Sequence, residues 1–507
     1  MAQPSAAQKL ILGPQCWGCR ERRVRCGSET PGCAKCAAKG VACPGYGPTR
    51  PLRWKKPQNL KEFPGKKRAA QYNERVAPDL VVTDSPTNPL RWSLESAAIA
   101  PAYLNHVYVA ISAFHRMVQR RFGGLYPQNS GLTEEVVAPR PRGSDSEEAK
   151  FCRYYASALS SLNEALSKNT KKPNLTILAG VMMLLFTQLQ RAAYGQWRIH
   201  LEGFKKLVDH FGGWKTVLRY HVDSAFMLSN LLIVDAMSTT TSPVQKLNVD
   251  TIRWHTAYLE LLPQLDYDVI PTATPIPPHL VRTIIMTNLA RATRHCTTGP
   301  LHQHAPFTLS HILTELDFTL TYTSSTDVAQ EQLCDNASPK PDPDSKLQTP
   351  NQALFANCYR SAIVIYAMEA FACMDAMREP LVDVILTTEA RYSIEAAAYE
   401  SLMHSLRSLF AMKNQPLNNE AYWKFVFWPL AIAGVQSVVF RHDSNDFEYI
   451  CAGLYEMTAE LGTLCMRDAA VFLRQLWAET RASALEATER RMFTWDEIFK
   501  EAPLFLL

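Results

Sequence analysis

Six cysteines within the 28 residues 16–43 constrain this chain more than any other feature. They read C-x2-C-x6-C twice, as Cys16, Cys19, Cys26 and then Cys33, Cys36, Cys43. Thiolate is a soft ligand, and two cysteines separated by two residues can grip one metal ion from a single tight turn. Two tetrahedral zinc ions need roughly eight ligand bonds, which six cysteines supply only if two of them bridge both metals. One four-cysteine zinc leaves two thiols over, and three disulfides would need an oxidising compartment that nothing else in the chain suggests. Two shared zinc ions are therefore expected, and their role is structural. With every ligand position filled by protein there is no open site for Lewis-acid chemistry. A core this small takes most of its folding free energy from the metal, about 10–16 kcal/mol for a structural zinc.

This segment resembles the binuclear zinc cluster DNA-binding domain of fungal transcription regulators: C-x2-C-x6-C, a loop carrying a proline, then C-x2-C and a last cysteine. The resemblance implies that Cys16 and Cys33 bridge, that Cys19 and Cys26 complete one zinc, and that Cys36 and Cys43 complete the other. Pro31 stands where the family loop has its proline, which is often cis.

The two halves differ between their cysteines. Arg20, Arg22, Arg23 and Arg25 lie between Cys19 and Cys26, whereas the matching interval after Cys36 holds only Lys39. The first half is therefore expected to face nucleic acid, with Arg22 and Arg23 near the end of a short helix that follows Cys16. The resemblance places the family's base-contacting pair on these two residues, with arginine where many members have lysine. Guanidinium suits O6 and N7 of guanine in the major groove, so a short G-rich, CGG-like element is the expected target. Arg20, Arg25, Lys35, Arg53, Lys55 and Lys56 are expected on phosphates.

Charge is distributed in the same sense. Residues 1–80 hold sixteen Lys and Arg against five Asp and Glu, a net +11, while the remainder is net −6. Two zinc ions with six thiolates add −2 and leave the N-terminal segment strongly basic, as phosphate binding requires. The groups Lys55-Lys56 and Lys66-Lys67-Arg68 have the look of a bipartite nuclear-import signal. No secretory leader is visible, and no run approaches the roughly 20 apolar residues of a membrane span. The seven other cysteines are scattered singly through apolar segments, as reduced core thiols are. A reducing, nuclear setting is expected, with no membrane partner.

Residues 1–15 read as a disordered lead, 16–46 as the cluster and 47–92 as a flexible basic linker rich in proline. The linker carries no sustained apolar heptad, so the protein is expected to act as a monomer or to form a homodimer through its C-terminal domain. Residues 93–507 read as an all-α domain, interrupted near 127–146 and by a polar, disordered loop near 322–352. Tyr103, Leu104, Val107, Tyr108, Ile111, Phe114, Met117 and Val118 form one amphipathic stripe, and residues 144–148 (SDSEE) mark a helix start. Helices are expected near 147–168, 174–190, 195–211, 222–237, 353–375, 379–412, 419–440, 445–464 and 467–490.

Residues 195–203 (GQWRIHLEG) followed by Phe211-Gly212-Gly213 resemble a signature of fungal-specific regulatory domains. Residues 235–240 (DAMSTT), 427–434 (FWPLAIAG) and Trp495 fit later landmarks of that group. His200 reads as a buried, hydrogen-bonded structural residue, and Gly203 as a site of close helix approach. His295, Cys296, His302 and His304 match no established zinc spacing and read as a surface loop. There is no G-x-S-x-G elbow, phosphate loop or H-E-x-x-H pair to argue for an enzyme.

The expected function is sequence-specific transcription regulation of the RNA polymerase II type, controlling a metabolic or secondary-metabolite gene set. Double-stranded DNA is the expected partner, together with co-regulators or the transcription machinery. The alternative is a receptor whose helical domain binds a small apolar metabolite and gates DNA binding. A cluster that mediates protein contacts only would have no need of the arginine-rich half.

Overall fold

The computed structural model describes residues 15–46, 72–86, 88, 90–122, 146–168, 174–220, 223–265, 275–296, 307–316, 349–375, 388–413, 415, 420–441, 443–486 and 493–500. The chain divides into two compact units, residues 1–59 and 60–507. Among the described residues there is no strand, and no helix is long and apolar enough to cross a membrane.

In the small unit each C-x2-C pair starts a short helix, α1 (Trp17–Glu21) and α2 (Ala34–Ala37). Cys16 and Cys33 are the N-caps, so Cys19 and Cys36 fall three residues on, on the same helix face. The same local solution, used twice, brings the sulfurs together.

The large unit contains α3 (Leu94–Ile99), α4 (Ala102–Phe122), α5 (Glu147–Lys168), α6 (Leu175–Arg191), α7 (Trp197–His210), α8 (Trp214–Tyr220), α9 (Asp223–Thr240) and α10 (Val249–Leu261). It continues through α11 (Pro278–Cys296), α12 (Leu309–Glu315), α13 (Pro350–Asp375), α14 (Thr388–Met412), α15 (Phe427–Gln436), α16 (Ser444–Leu461), α17 (Cys465–Glu486) and α18 (Trp495–Ile498). Neighbours in sequence pack as antiparallel pairs, notably α4 with α5, α10 with α11, α13 with α14 and α16 with α17. All ten residues of α15 are buried, because this helix lies among α13, α14, α16 and α17 and is apolar on every side. Gly434 permits that fit, since a Cβ there would lie 2.4 Å from Leu473 Cδ1.

Local chemistry sets the helix ends. The Asn174 side chain accepts from the amides of Thr176 and Ile177, so Asn174 is the N-cap of α6. Asn248 with Thr251, and Thr494 with Glu497, form capping boxes on α10 and α18. At the end of α16, Gly462 takes the left-handed conformation (φ +61°) that terminates a helix without a Cβ penalty.

A buried polar knot joins landmarks far apart in the chain. Arg291 on α11 donates to Asp496 Oδ1 at 2.7 Å, to the Ser242 carbonyl at 2.9 Å and to the Tyr366 hydroxyl at 3.0 Å. Trp428 Nε1 donates to Thr240 Oγ1 at 2.9 Å, and Trp495 Nε1 to the Thr240 carbonyl at 2.7 Å. The end of α9 is thus the meeting point of α11, α15 and α18.

Several expectations change. The single helix expected at 419–440 is a 3-10 turn (Tyr422–Phe425), then α15, then a π turn (Ser437–Arg441). Pro429 lacks an N–H and is tolerated only in a first turn, so it starts a new helix. Tyr72, Val76, Ala77 and Trp92, from the stretch read as linker, are buried in the core of the large unit. His295 and Cys296 are not in a loop: they form the last turn of α11, where Cys296 Sγ donates to the Leu247 carbonyl at 3.6 Å. The lead expected at 1–15, apart from its last residue, the basic residues Arg53, Lys55, Lys56, Lys66, Lys67 and Arg68, His302 and His304 lie outside the described residues, as do residues 322–348 of the loop expected near 322–352, whose last residues instead begin α13 at Pro350.

Candidate metal centre and nucleic-acid interface

The six sulfurs form two overlapping quartets, Cys16/Cys19/Cys26/Cys33 and Cys16/Cys33/Cys36/Cys43, each with its ligand atoms within 4.8 Å of one another. Cys16 and Cys33 are common to both. The Cys16–Cys33 and Cys19–Cys33 separations are 3.6 Å, and Cys16–Cys36 is 3.9 Å. A zinc–sulfur bond of about 2.3 Å implies a tetrahedron edge of about 3.8 Å, so the donor set fits zinc. Such a site supplies structural cross-linking and leaves no position for substrate.

Local donors prepare part of the set for metal. Burial opposes charge on Cys26, but amide donors from Cys16 and Ser28 outweigh it and hold the thiol down to about 6. The amides of Cys33 and Gly45 hold Cys43 down to about 7. Burial pushes Cys16 up to about 12 and raises Cys33 as well. The two shared sulfurs therefore gain most from a cation.

The loop between the halves is closed by residues that the cysteine pattern does not reveal. Glu29 accepts from the Ala34 amide at 3.0 Å, which satisfies an orphan N–H at the start of α2. Tyr46 donates to the Glu29 carbonyl at 2.8 Å, with its hydroxyl 3.9 Å from Cys26 Sγ. An aromatic residue just after the last cysteine is the only sequence signal for this clasp. The Thr30–Pro31 bond is cis.

Arg20, Arg23, Arg25 and Lys35 are exposed. Arg20 also lies over the Trp17 ring, 5.0 Å from its centroid. Arg22, paired with Arg23 on sequence grounds, is placed differently. It caps α1 and is partly buried, with Nε donating to the Gly18 carbonyl at 3.0 Å and Nη2 to Cys36 Sγ at 3.1 Å. The next residue, Arg23, has φ +53°, so the chain turns sharply between two adjacent arginines.

A fungal specific transcription factor domain matches residues 70–506, and a fungal Zn(2)-Cys(6) binuclear cluster domain matches residues 15–52. The chain belongs to the fungal-specific transcription factor family. It is a transcription regulator and not an enzyme; its cluster domain is a DNA-binding module that holds two zinc ions, and membership implies a nuclear protein. The chain is 24% identical over 500 residues to the phomenoic acid biosynthesis cluster-specific transcriptional regulator of Leptosphaeria maculans, covering 91% of this chain and 85% of that one. Similarity to the transcription factor phomR of Diaporthe leptostromiformis is 46% over 55 residues, 11% of this chain and 8% of that one. The ustiloxin B cluster transcription factor ustR of Aspergillus flavus is 48% identical over 44 residues, 9% and 7% of the two chains. No solved structure matches the regulator.

The helical unit of the regulator carries a cleft of about 400 Å³ between α5, α6 and α7, lined by Leu159, Leu162, Val181, Leu184, Ile199 and Leu207 and edged by Asn163, His200 and Lys206. His200 is half-buried with Nε2 3.2 Å from the Tyr155 hydroxyl, and burial lowers its pKa. A Cβ on Gly203 would meet nothing within 4 Å. This glycine therefore widens the cleft and does not serve close helix approach.

Proposed function

We propose that the regulator reads a short G-rich, CGG-like element in the major groove and controls a secondary-metabolite gene set. Cys16, Cys19, Cys26, Cys33, Cys36 and Cys43 hold the two zinc ions, Cys16 and Cys33 being shared. Arg23 contacts bases; Arg20, Arg25, Lys35 and the basic stretch with Arg53, Lys55 and Lys56 contact phosphates; Lys55, Lys56, Lys66, Lys67 and Arg68 direct nuclear import. The observation that carries the reading is the pair of sulfur quartets with an exposed arginine cluster on one half only. The relatives from L. maculans and A. flavus are named for biosynthetic clusters, which supports that class of target.

Selection from random duplexes by the full chain loaded with zinc tests this. Arg23→Ala is expected to lower discrimination at one base position by about 1–3 kcal/mol, while Arg25→Ala weakens all sequences alike and reduces the salt slope by about 1. Identical behaviour of the two variants overturns the division of roles. A selected triplet that appears singly indicates a monomer; a spaced pair indicates a homodimer joined through the helical unit.

The cleft supports a second reading, in which the helical unit binds a small apolar metabolite that gates DNA binding. Its volume lies within the range of small-molecule sites. A ligand at about 100 times its Kd stabilises the folded state by about 2.7 kcal/mol, so a melting shift that Gly203→Phe abolishes is expected from a metabolite panel. No shift with any compound removes this reading.

A further inference from the structure

Two adjacent arginines stand at the end of α1, and only one of them is exposed. Arg22 Nε donates to the Gly18 carbonyl at 3.0 Å and Nη2 to Cys36 Sγ at 3.1 Å, with Nη2 also 3.8 Å from Cys19 Sγ. Cys19 belongs to the first sulfur quartet alone and Cys36 to the second alone, so one side chain from the first half spans both. The approach is close: a Cβ on Gly18 would lie 3.3 Å from Cys36 Sγ and 3.2 Å from Pro44 Cδ. Two of the three guanidinium nitrogens are thus engaged inside the unit, and one of them, Nη2, is common to both edges of the fork with which an arginine can grip O6 and N7 of a guanine. Arg23 follows at φ +53°, a conformation that costs a residue with a Cβ about 1–2 kcal/mol, and it is exposed.

The electrostatics run the same way. Two zinc ions and six thiolates carry a net −2 in a site whose sulfurs are mostly buried. A charge-assisted N–H donor offsets that charge where water cannot. Partners in the outer shell of a metal site orient its ligands and tune their basicity. We infer that Arg22 is a positioning residue of the zinc centre, its guanidinium capping Cys19 and Cys36 across the two halves, and that base reading falls to Arg23. This rests on the zinc and DNA assignments proposed above.

The test uses the full chain, loaded with zinc, as wild type, Arg22→Gln, Arg22→Lys and Arg23→Gln. Competition with a chelator measures zinc affinity, and DNA selection is run on the same loaded samples. Arg22→Gln is expected to lose about 10-fold or more in zinc affinity, with Arg22→Lys between it and wild type because an ammonium keeps the charge without the fork. Arg23→Gln is expected to hold zinc as wild type does and to lose base discrimination, while loaded Arg22→Gln selects the wild-type sequence. In the cobalt(II)-substituted protein, the sulfur-to-metal charge-transfer band of Arg22→Gln is expected at longer wavelength, since a thiolate that loses a donor is easier to ionise. Wild-type zinc affinity in Arg22→Gln overturns the cap, as does an altered selected sequence in the loaded variant. If wild type selects no sequence, DNA reading falls, and the zinc competition, which involves no DNA, still decides the role of Arg22.

Discussion

Cys33→Ser is expected to unfold the small unit, to leave the chain without either zinc and to weaken DNA binding by more than about 100-fold. Among its described residues the small unit has almost nothing else to hold it together. The buried side chains of its core are Cys16, Cys19, Cys26, Cys33 and Cys36, with Cys43 and Tyr46 packed beside them. Its two helices are five and four residues long, far below the length at which a helix persists alone. Metal binding is therefore folding, at about 10–16 kcal/mol for a structural zinc. Because Cys33 belongs to both quartets, its loss removes a bond from each metal, whereas Cys43 belongs to one. Cys43→Ser is accordingly expected to retain at least one zinc. Metal analysis, circular dichroism and DNA titration on the two variants check this. The helical unit provides the control, since its core is separate and its melting should not move. Two zinc ions retained by Cys33→Ser would exclude a shared role.

The clustering of the six sulfurs is legible because the spacing is a property of the chain itself: an N-cap cysteine and a second one three residues on make the same turn twice. The direction of Arg22 was not legible. Arg23 itself takes the left-handed backbone that turns it away from Arg22, and nothing in a run of arginines announces it. Helix α5 is legible from the start signal at 144–148, where Ser146 caps it, whereas the cap that Asn174 provides to α6 is visible only in the structure. Helices α10 and α11 lie outside the helices expected from the sequence although both carry start signals, the Asn248–Thr251 box and Pro278 in the first turn. Gly299 and Pro300 are loop signals, but they act only after Cys296, so His295 and Cys296 stay in the last turn of α11. The polar knot at the end of α9 has no local signature, because its bonded members lie up to 255 residues apart. Its tryptophans and threonines were visible as landmarks, but their meeting point was not.

That knot carries the second large effect. Asp496→Ala is expected to destabilise the helical unit by about 3–5 kcal/mol, because it leaves a buried guanidinium without its counter-charge. Arg291 is 2% exposed, and Asp496 Oδ1 accepts both from it and from the Val244 amide at 3.0 Å. Helix α18 is only four residues long, so its capping box and these contacts hold it in place. With them sits Trp495, 1% exposed and bonded to the Thr240 carbonyl. Arg291→Met should cost at least as much, since the guanidinium also serves the carbonyls of Thr239 and Thr240 at the end of α9 and of Ser242 just beyond it. Asp496→Asn keeps an acceptor for Val244 and should be the mildest of the three. Denaturant unfolding of the full chain followed by tryptophan fluorescence gives the order directly. Asp496→Ala unfolding at the wild-type midpoint would mean that the pair does not hold α18, and the C-terminal landmark would then owe its place to Trp495 alone.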